Sequence, residues 1–198
     1  MDFTDVVGKR RMIRRFDQRP VPPALIDRVL DTARRAPTAG FAQGVDFVVL
    51  DTPETVATFW ELTDDPDDPL DAEDIAHGPT VIVLPIADKR RYLARYAEPD
   101  KIAYGMDQEV RWPVKFWEVD ASMASMLALL AAVDAGLGGW FFGIVHGERA
   151  LLDHLGVPDG IRPVGIIGMG YRAEDEARGG SGVRKRRPLG TQIHRNGW

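Results

Sequence analysis

The side chains with the greatest chemical reach in this sequence are arginines. Lys9, Arg10, Arg11, Arg14, Arg15 and Arg19 crowd together near the start, and Arg184, Lys185, Arg186 and Arg187 form a second cluster near the end. Arg10 and Arg11 fall near the end of a short helix expected over residues 4–11, with Arg14 just beyond. Their guanidinium groups are planar forks that suit phosphate oxygens. The cluster at 184–187 could close the same anion site. A solvated basic face is the other reading that these residues allow by themselves. No aromatic stacking platform or recognisable module accompanies the basic residues, so a nucleic-acid partner is not expected.

Other chemistry is thinly represented. The four histidines, His77, His146, His154 and His194, are scattered. There are no cysteines, which excludes disulfides, thiol nucleophiles, thiolate metal sites and iron–sulfur clusters. The phosphate loop GxxxxGK(S/T), the zinc motif HExxH and the nucleophile turn GxSxG are all missing. Gly136-Leu137-Gly138-Gly139 fails as a dinucleotide fingerprint because Phe141 stands where the last glycine belongs. The acidic stretch Asp64, Asp65, Asp67, Asp68, Asp71, Glu73 and Asp74 lacks the glycine turn and closing glutamate of a calcium loop, so no metal site is expected. Any chemistry therefore belongs to a bound organic cofactor.

These residues sit on a chain of 198, read as a single domain over 1–198. Hydrophobic residues make up 44% and charged residues 28%, an ordinary globular balance that argues against disorder. The formal charge is −5, but setting the seven acids of 64–74 aside leaves 25 basic against 23 acidic side chains. Concentrated basic clusters on a nearly neutral body suggest a local anion site. No apolar run reaches the length of a membrane span, and the start MDFTDVV does not read as a signal peptide. A cytoplasmic protein without a membrane partner is expected.

The elements that must position the arginines follow from periodicity. Pro22-Pro23 opens a helix with Leu25, Ile26, Val29, Leu30 and Ala33 on one face, ended by Ala36-Pro37. Val45–Leu50 reads as a strand, Pro53–Leu62 as a helix, and the acidic stretch as a solvated loop. Thr80–Ala87 is nearly all apolar and reads as a strand buried on both faces. Residues 88–112 show no clear period. The longest helix is expected over 118–135, closed by Gly136. Its small residues Ala121, Ser122, Ala124, Ser125 and Ala128 would let another helix approach closely. A short helix over 148–155 and a strand over 163–170 follow. The tail beyond Arg172 is polar but ends in Trp198, which needs something to pack on and could serve a partner. This order does not alternate as a doubly wound fold does and predicts an α+β class.

The stretch RRMIRRFDQRPVPPALIDRVLDTARRAPTAGFAQGVDFVVL, residues 10–50, resembles the N-terminal signature of the FMN-dependent nitroreductase family. The resemblance continues through the small-residue helix into GLGGWFFG (136–143), LGVPDGIRPVGIIGMGY (155–171) and RRPLGTQIHRNGW (186–198). Only 51–78 and 88–115 fall outside it. It implies a mainly antiparallel central sheet flanked by helices, in an intertwined homodimer with an exchanged C-terminal segment and two FMN sites at the interface. It places Arg10, Arg11 and Met12, with Arg14 nearby, on the flavin phosphate and ribityl chain. It brings Pro37, Thr38, Ala39, Phe41 and Gln43 from the partner subunit along the flavin. It sets backbone at Phe142 and Gly143 near the reactive N5 edge, and returns Arg184 and Arg186 to the phosphate.

Two positions depart from the family pattern. Met12 replaces a serine and cannot donate to phosphate; Phe41 replaces an asparagine and cannot hydrogen-bond the flavin. Thr38 replaces serine but keeps the hydroxyl. Phe41 would act by stacking or shape, or else pack in the core. Trp112, Trp117, Trp140, Phe141 and Phe142 could wall an acceptor pocket or fill the core. The activity implied is hydride transfer from NAD(P)H through FMN to a small electron-poor acceptor in a ping-pong cycle, with no catalytic side chain required. A flavin-storing protein with little turnover is the alternative from another class. A flavin-dependent dehydrogenase or oxidase of an unrelated small substrate is a third.

Overall fold

The computed structural model describes residues 1–176 and 184–198. Helix α1 (Phe3–Lys9) is capped by Asp2, whose carboxylate accepts the Thr4 amide, so it starts and stops slightly earlier than expected. Arg10 and Arg11 therefore lie just beyond the helix. Strand β1 (Phe16–Asp17) follows, then α2 (Pro23–Ala33). Pro23 fits the first turn of α2, where a missing N–H costs nothing, and Ile26, Val29 and Ala33 face inward. Helix α3 (Pro53–Thr63) opens on a reciprocal Thr52–Thr55 cap.

The acidic stretch is more ordered than a solvated loop. Asp71 caps α4 (Ala72–Ala76) by accepting the Asp74 amide, and Asp64 accepts the amides of Asp65 and Leu70. Residues 88–112 also hold a helix that weak periodicity concealed. Asp88 caps α5 (Lys89–Tyr96), whose Tyr92 is fully buried.

The sheet contains β1, β2 (Val45–Leu50), β3 (Val81–Ala87), β4 (Gly138–Phe142), β5 (Arg162–Pro163) and β6 (Ile166–Arg172). The strands run in the order β1-β6-β3-β2, with β4 on β6 and β5 on β3, and every pairing between them is antiparallel. Helices α2 and α6 (Phe116–Asp134) cover one face, through Ile26, Val29, Ala128 and Leu129 against Val81, Val83 and Ile167. Helices α3 and α7 (Glu148–His154) cover the other, through Phe59, Leu151 and Leu152 against Ile82, Leu84 and Ile166. This explains why β3 is apolar at almost every position and buried along its whole length.

Strand β4 escaped the sequence reading because its glycines resemble a loop. They are instead close-packing positions. A Cβ on Gly138 would press Ile13 at 3.0 Å, and one on Gly139 would overlap Leu129 of α6 at 2.8 Å.

Helix α6 ends as expected. Gly136 adopts φ 80°, and the Gly136 and Leu137 amides return to Val133 and Ala132. Its small residues do meet a second helix, α2 of the same protomer, where Ala128 and Ala132 share a buried cluster with Ile26, Val29 and Ala33. Ala121, Ala124, Ser125, Ala128 and Ala132 are buried within the protomer, where they let α6 lie close to the sheet. The outer face is a different stripe, Val119, Ser122, Met123, Met126, Leu127 and Leu130, with Met123 and Met126 43% and 46% exposed. By length and composition α6 could cross a bilayer, contrary to the expectation that no segment would qualify, but here its inner face packs on the core.

Part of the tail, residues 177–183, lies outside the described residues. Residues 184–198 are exposed throughout. Trp198 stacks on His194 at 4.2 Å and is otherwise uncovered.

Candidate functional site

The first arginine cluster sits beside the C-terminal end of α6. Lys9, Arg11 and Arg172 line a cleft of about 570 Å³ together with Ile13, Val133 and Leu137. That volume is in the range of small-molecule sites. Among the described residues, no carboxylate lies within 4.0 Å of the guanidinium nitrogens of Arg10, Arg11 or Arg14. Their neighbour Arg15 differs, pairing with Glu73 at 3.1 Å and Asp175 at 3.2 Å. Arg11, lining the open cleft, and its neighbours Arg10 and Arg14 on the same turn can bind an anion without first breaking an internal salt bridge.

The turn carrying them is fixed by its backbone. The Arg14 and Arg15 amides donate to the Glu176 carboxylate at 3.1 and 2.9 Å. The Ile13 amide donates to Gly139 at 3.0 Å, and Met12 forms a parallel bridge with Gly139. The Met12 sulfur accepts the Phe141 amide at 3.4 Å. Met12 thus clamps the arginine turn to β4, a structural task for a side chain that cannot donate to phosphate. The Arg14 guanidinium lies 5.8 Å from the Trp140 ring centroid.

The same strand carries Phe142 and Gly143. Phe142 is held between two indoles, Trp140 at 4.2 Å and Trp60 at 5.8 Å with nearly parallel rings. Nothing lies within 4 Å of where a Gly143 side chain would begin, so the backbone there is open to a ligand. Trp112 and Trp117 belong to the core, packed around Tyr92, and do not wall a pocket. Trp140, Phe141 and Phe142 remain half-buried beside the arginine turn.

The Pro37–Gln43 loop is built differently. Its backbone turns through positive φ at Gly40 (61°), Phe41 (57°) and Gln43 (51°). For a non-glycine residue this conformation costs about 1–2 kcal/mol. It persists only where the surroundings enforce it, and such strain clusters at functional positions. The enforcing contacts are visible. The Ala39 amide donates to Asp120 at 2.8 Å, the Gln43 amide to the Thr38 hydroxyl at 3.1 Å, and the Arg95 guanidinium to the Gly40 carbonyl at 2.9 Å. A side chain on Gly40 would strike Tyr96 at 2.8 Å. The result holds Phe41 outward, 74% exposed, which removes the alternative that it packs in the protomer core.

Asp120 is only 3% exposed and also accepts the Tyr92 hydroxyl at 2.9 Å. Burial, reinforced by the Asp120 carboxylate, pushes the Tyr92 phenol above its ordinary range. Asp88, which starts the helix carrying Tyr92 and Arg95, is held below the usual carboxylate range by the Arg90 guanidinium.

One protomer does not bring the two groups together. The loop is tied to α6 at Asp120, whereas the N-terminal amine pairs with Asp134 and the Arg11 cleft includes Val133. Asp120 and Asp134 are separated by about 21 Å of helix, at about 1.5 Å per residue. Arg184 and Arg186 are exposed on the tail and form no ion pair among the described residues. Sequence reasoning missed Arg172, Asp120, Tyr92 and Arg95. Asp120 left a trace, as a lone carboxylate in an apolar stretch, but a helix N-terminus accounts for acidic residues equally well. Among the described residues no cluster of His, Asp or Glu is arranged to hold a metal.

The family model described as the Nitroreductase family matches residues 7–171. A protein of Methanothermobacter thermautotrophicus, named as a candidate NADH dehydrogenase/NAD(P)H nitroreductase, is 29% identical over 181 residues, covering 88% of this chain and 80% of its own. A nitroreductase family protein of Clostridium difficile 630 superimposes with a TM-score of 0.72 at 21% identity, over 100% of both chains. A candidate nitroreductase of Desulfovibrio desulfuricans, solved in complex with FMN, gives a TM-score of 0.69 at 20% identity over 98% and 95% of the two chains.

Proposed function

The chain belongs to the nitroreductase family, and from that premise we propose that it is an FMN-dependent oxidoreductase using NAD(P)H and an electron-poor acceptor of the nitro or quinone type. The observation that carries this reading is the unpaired set Arg10, Arg11 and Arg14 on one turn, with Arg11 lining an open cleft, clamped to the strand that presents Phe142 and Gly143. The donor set fits FMN, because planar guanidinium forks suit a phosphate dianion and a nearby half-buried aromatic strand suits a flat ring. When bound, FMN supplies the hydride chemistry, accepting from NAD(P)H and delivering to the acceptor in turn.

The side chains bind and orient. Arg10 and Arg11 hold the phosphate, Arg14 braces Trp140, and Met12 fixes the arginine turn against β4. The open backbone at Gly143 leaves room for close approach to the ring edge. Lys9 and Arg172 add positive charge to the cleft, and Arg184 and Arg186 of the tail complete the phosphate contact. The Thr38–Gln43 loop comes from the partner, in a homodimer joined by the apolar outer stripe of α6. A stripe of two exposed methionines, with Val119, Leu127 and Leu130 beside them, is the kind of face that a second copy covers. Nicotinamide donors are cytoplasmic metabolites, and we place the reaction there.

The test is to identify the flavin released from purified protein by mass, then titrate the holoprotein anaerobically with NADH and NADPH. Bleaching of the flavin absorbance by either nucleotide, and its return on adding a quinone or nitroarene, is the expected result. FMN that neither nucleotide reduces would replace this reading with that of a flavin carrier.

A further inference from the structure

The proposed function leaves a buried carboxylate unused. Asp120 lies within a helix otherwise packed on apolar core, yet it is not neutralised by a cation among the described residues. Its partners are two neutral donors on one oxygen, Oδ2: the Tyr92 hydroxyl from α5 and the Ala39 amide from the strained loop. Burying a carboxyl group for so little local structure is expensive unless the contact fixes something. What it fixes is the first residue of the turn that drives Gly40 and Phe41 into positive φ.

We infer that Asp120 is a positioning residue: it holds the Ala39–Phe41 turn in a preformed, strained shape so that the exposed Phe41 ring is delivered to the flavin site of the partner protomer. The inference rests on the proposed FMN function. The Arg95 bond to Gly40 braces the far side of the same turn, so Asp120 and Arg95 act from two helices on adjacent residues. Preorganisation of this kind lowers the ordering cost of binding without adding a contact. Asp120 need not touch flavin or acceptor for its loss to be felt there.

The decisive comparison separates the two bonds to Oδ2. Tyr92→Phe removes the hydroxyl bond but leaves the Ala39 anchor. It should lower the melting temperature and leave FMN affinity and the acceptor KM within about twofold of wild type. Asp120→Leu with Tyr92→Phe removes the anchor without orphaning a buried hydroxyl. It should weaken FMN at least about tenfold relative to Tyr92→Phe alone, and raise the acceptor KM more than it lowers kcat. Asp120→Asn keeps an oxygen in place and should restore most of that loss. Amide hydrogen exchange at Ala39 and Phe41 should accelerate in the double variant and remain slow in Tyr92→Phe. If the double variant matches Tyr92→Phe in FMN affinity and acceptor KM, Asp120 is merely structural and the inference fails. Wild-type protein that binds no FMN would instead overturn the function on which it rests.

Discussion

The arginine turn and the Pro37–Gln43 loop solve opposite problems. The turn carries charge that the described fold leaves unpaired, on a backbone secured by Glu176 and β4. The loop carries little charge and is satisfied at nearly every backbone group it needs for shape, yet it spends conformational energy to hold an apolar ring in solvent. An unpaired cation cluster gains from an incoming anion; an exposed, strained aromatic gains from an incoming surface. In the proposed function each is half of a binding site, and α6 keeps them at opposite ends. A second copy of the chain is the simplest object that supplies the missing half to both.

The largest expected effect comes from keeping the halves apart. Met126 is exposed in the protomer, so Met126→Glu should leave the protomer folded. In the proposed dimer it would bury an unpaired carboxylate, a cost of several kcal/mol. Light scattering should show a monomer, and the flavin content should fall to near zero. A flavin-loaded monomer would break the comparison. Ala124→Glu and Ala128→Glu should unfold the protomer itself, because both positions face its own core.

Next in size is the charged half. Arg11→Ala should cost about 2–5 kcal/mol of FMN binding, hence at least tenfold in affinity, while riboflavin, which lacks the phosphate, is bound as before. Titration with both flavins reads this directly. An unchanged preference for FMN over riboflavin would assign the phosphate elsewhere. Raising salt should weaken FMN more than riboflavin in the wild type.

Phe41→Asn sharpens the loop half. Because Phe41 is exposed and in the left-handed region, which asparagine tolerates, the apo melting temperature should hold or rise, with any change within about 0.5 kcal/mol. The ratio of kcat/KM values between quinone and nitroarene acceptors should nonetheless shift. A large loss of apo stability with unchanged kinetics would remove Phe41 from the site.

The smallest effect concerns the support of that loop. The Asp88 carboxyl is depressed in the fold, so the stability it contributes is present above its ordinary pKa of about 3.9. That contribution is lost as pH falls through the lower folded value. Asp88→Asn should lower the melting temperature by about 2–4 °C at pH 7, corresponding to about 1 kcal/mol, with the gap closing below about pH 4. FMN affinity per folded protein should change little, since the Asp88 carboxylate pairs with Arg90 and Arg91 at the start of α5 and its loss leaves the Asp120 and Arg95 bonds to the loop in place.

Much of this was legible in the sequence, for reasons that differ by element. Strand β3 declared itself because burial on both faces leaves only apolar residues, and the Gly136 stop because a left-handed turn favours glycine. Strand β4 did not, because the glycines that admit Ile13 and Leu129 also resemble a loop. Helix α6 was found, and its small residues admit a close helix as expected, but only the fold shows that this neighbour is α2 of the same protomer, with the sheet beside it. The arginines were visible as charge, whereas their freedom from carboxylates is a property of tertiary structure. The bonds from Asp120 and Arg95 to the loop span 81 and 55 residues, and no local pattern announces them.

The central claim is that the arginine turn of one protomer and the strained loop of its partner form one flavin site. Subunit complementation tests it most directly. Arg11→Ala disables the first half. Gly40→Val, whose side chain would strike Tyr96 and oppose a positive φ, disables the second. Each homodimer should be nearly free of tightly bound FMN and nearly inactive with NAD(P)H. Unfolding the two together and refolding them as a mixture should yield heterodimers in which one site has both halves intact and the other has neither, restoring about a quarter of the wild-type FMN and turnover. No recovery on mixing, with heterodimers shown to form, would mean that both halves belong to the same protomer and would contradict the account.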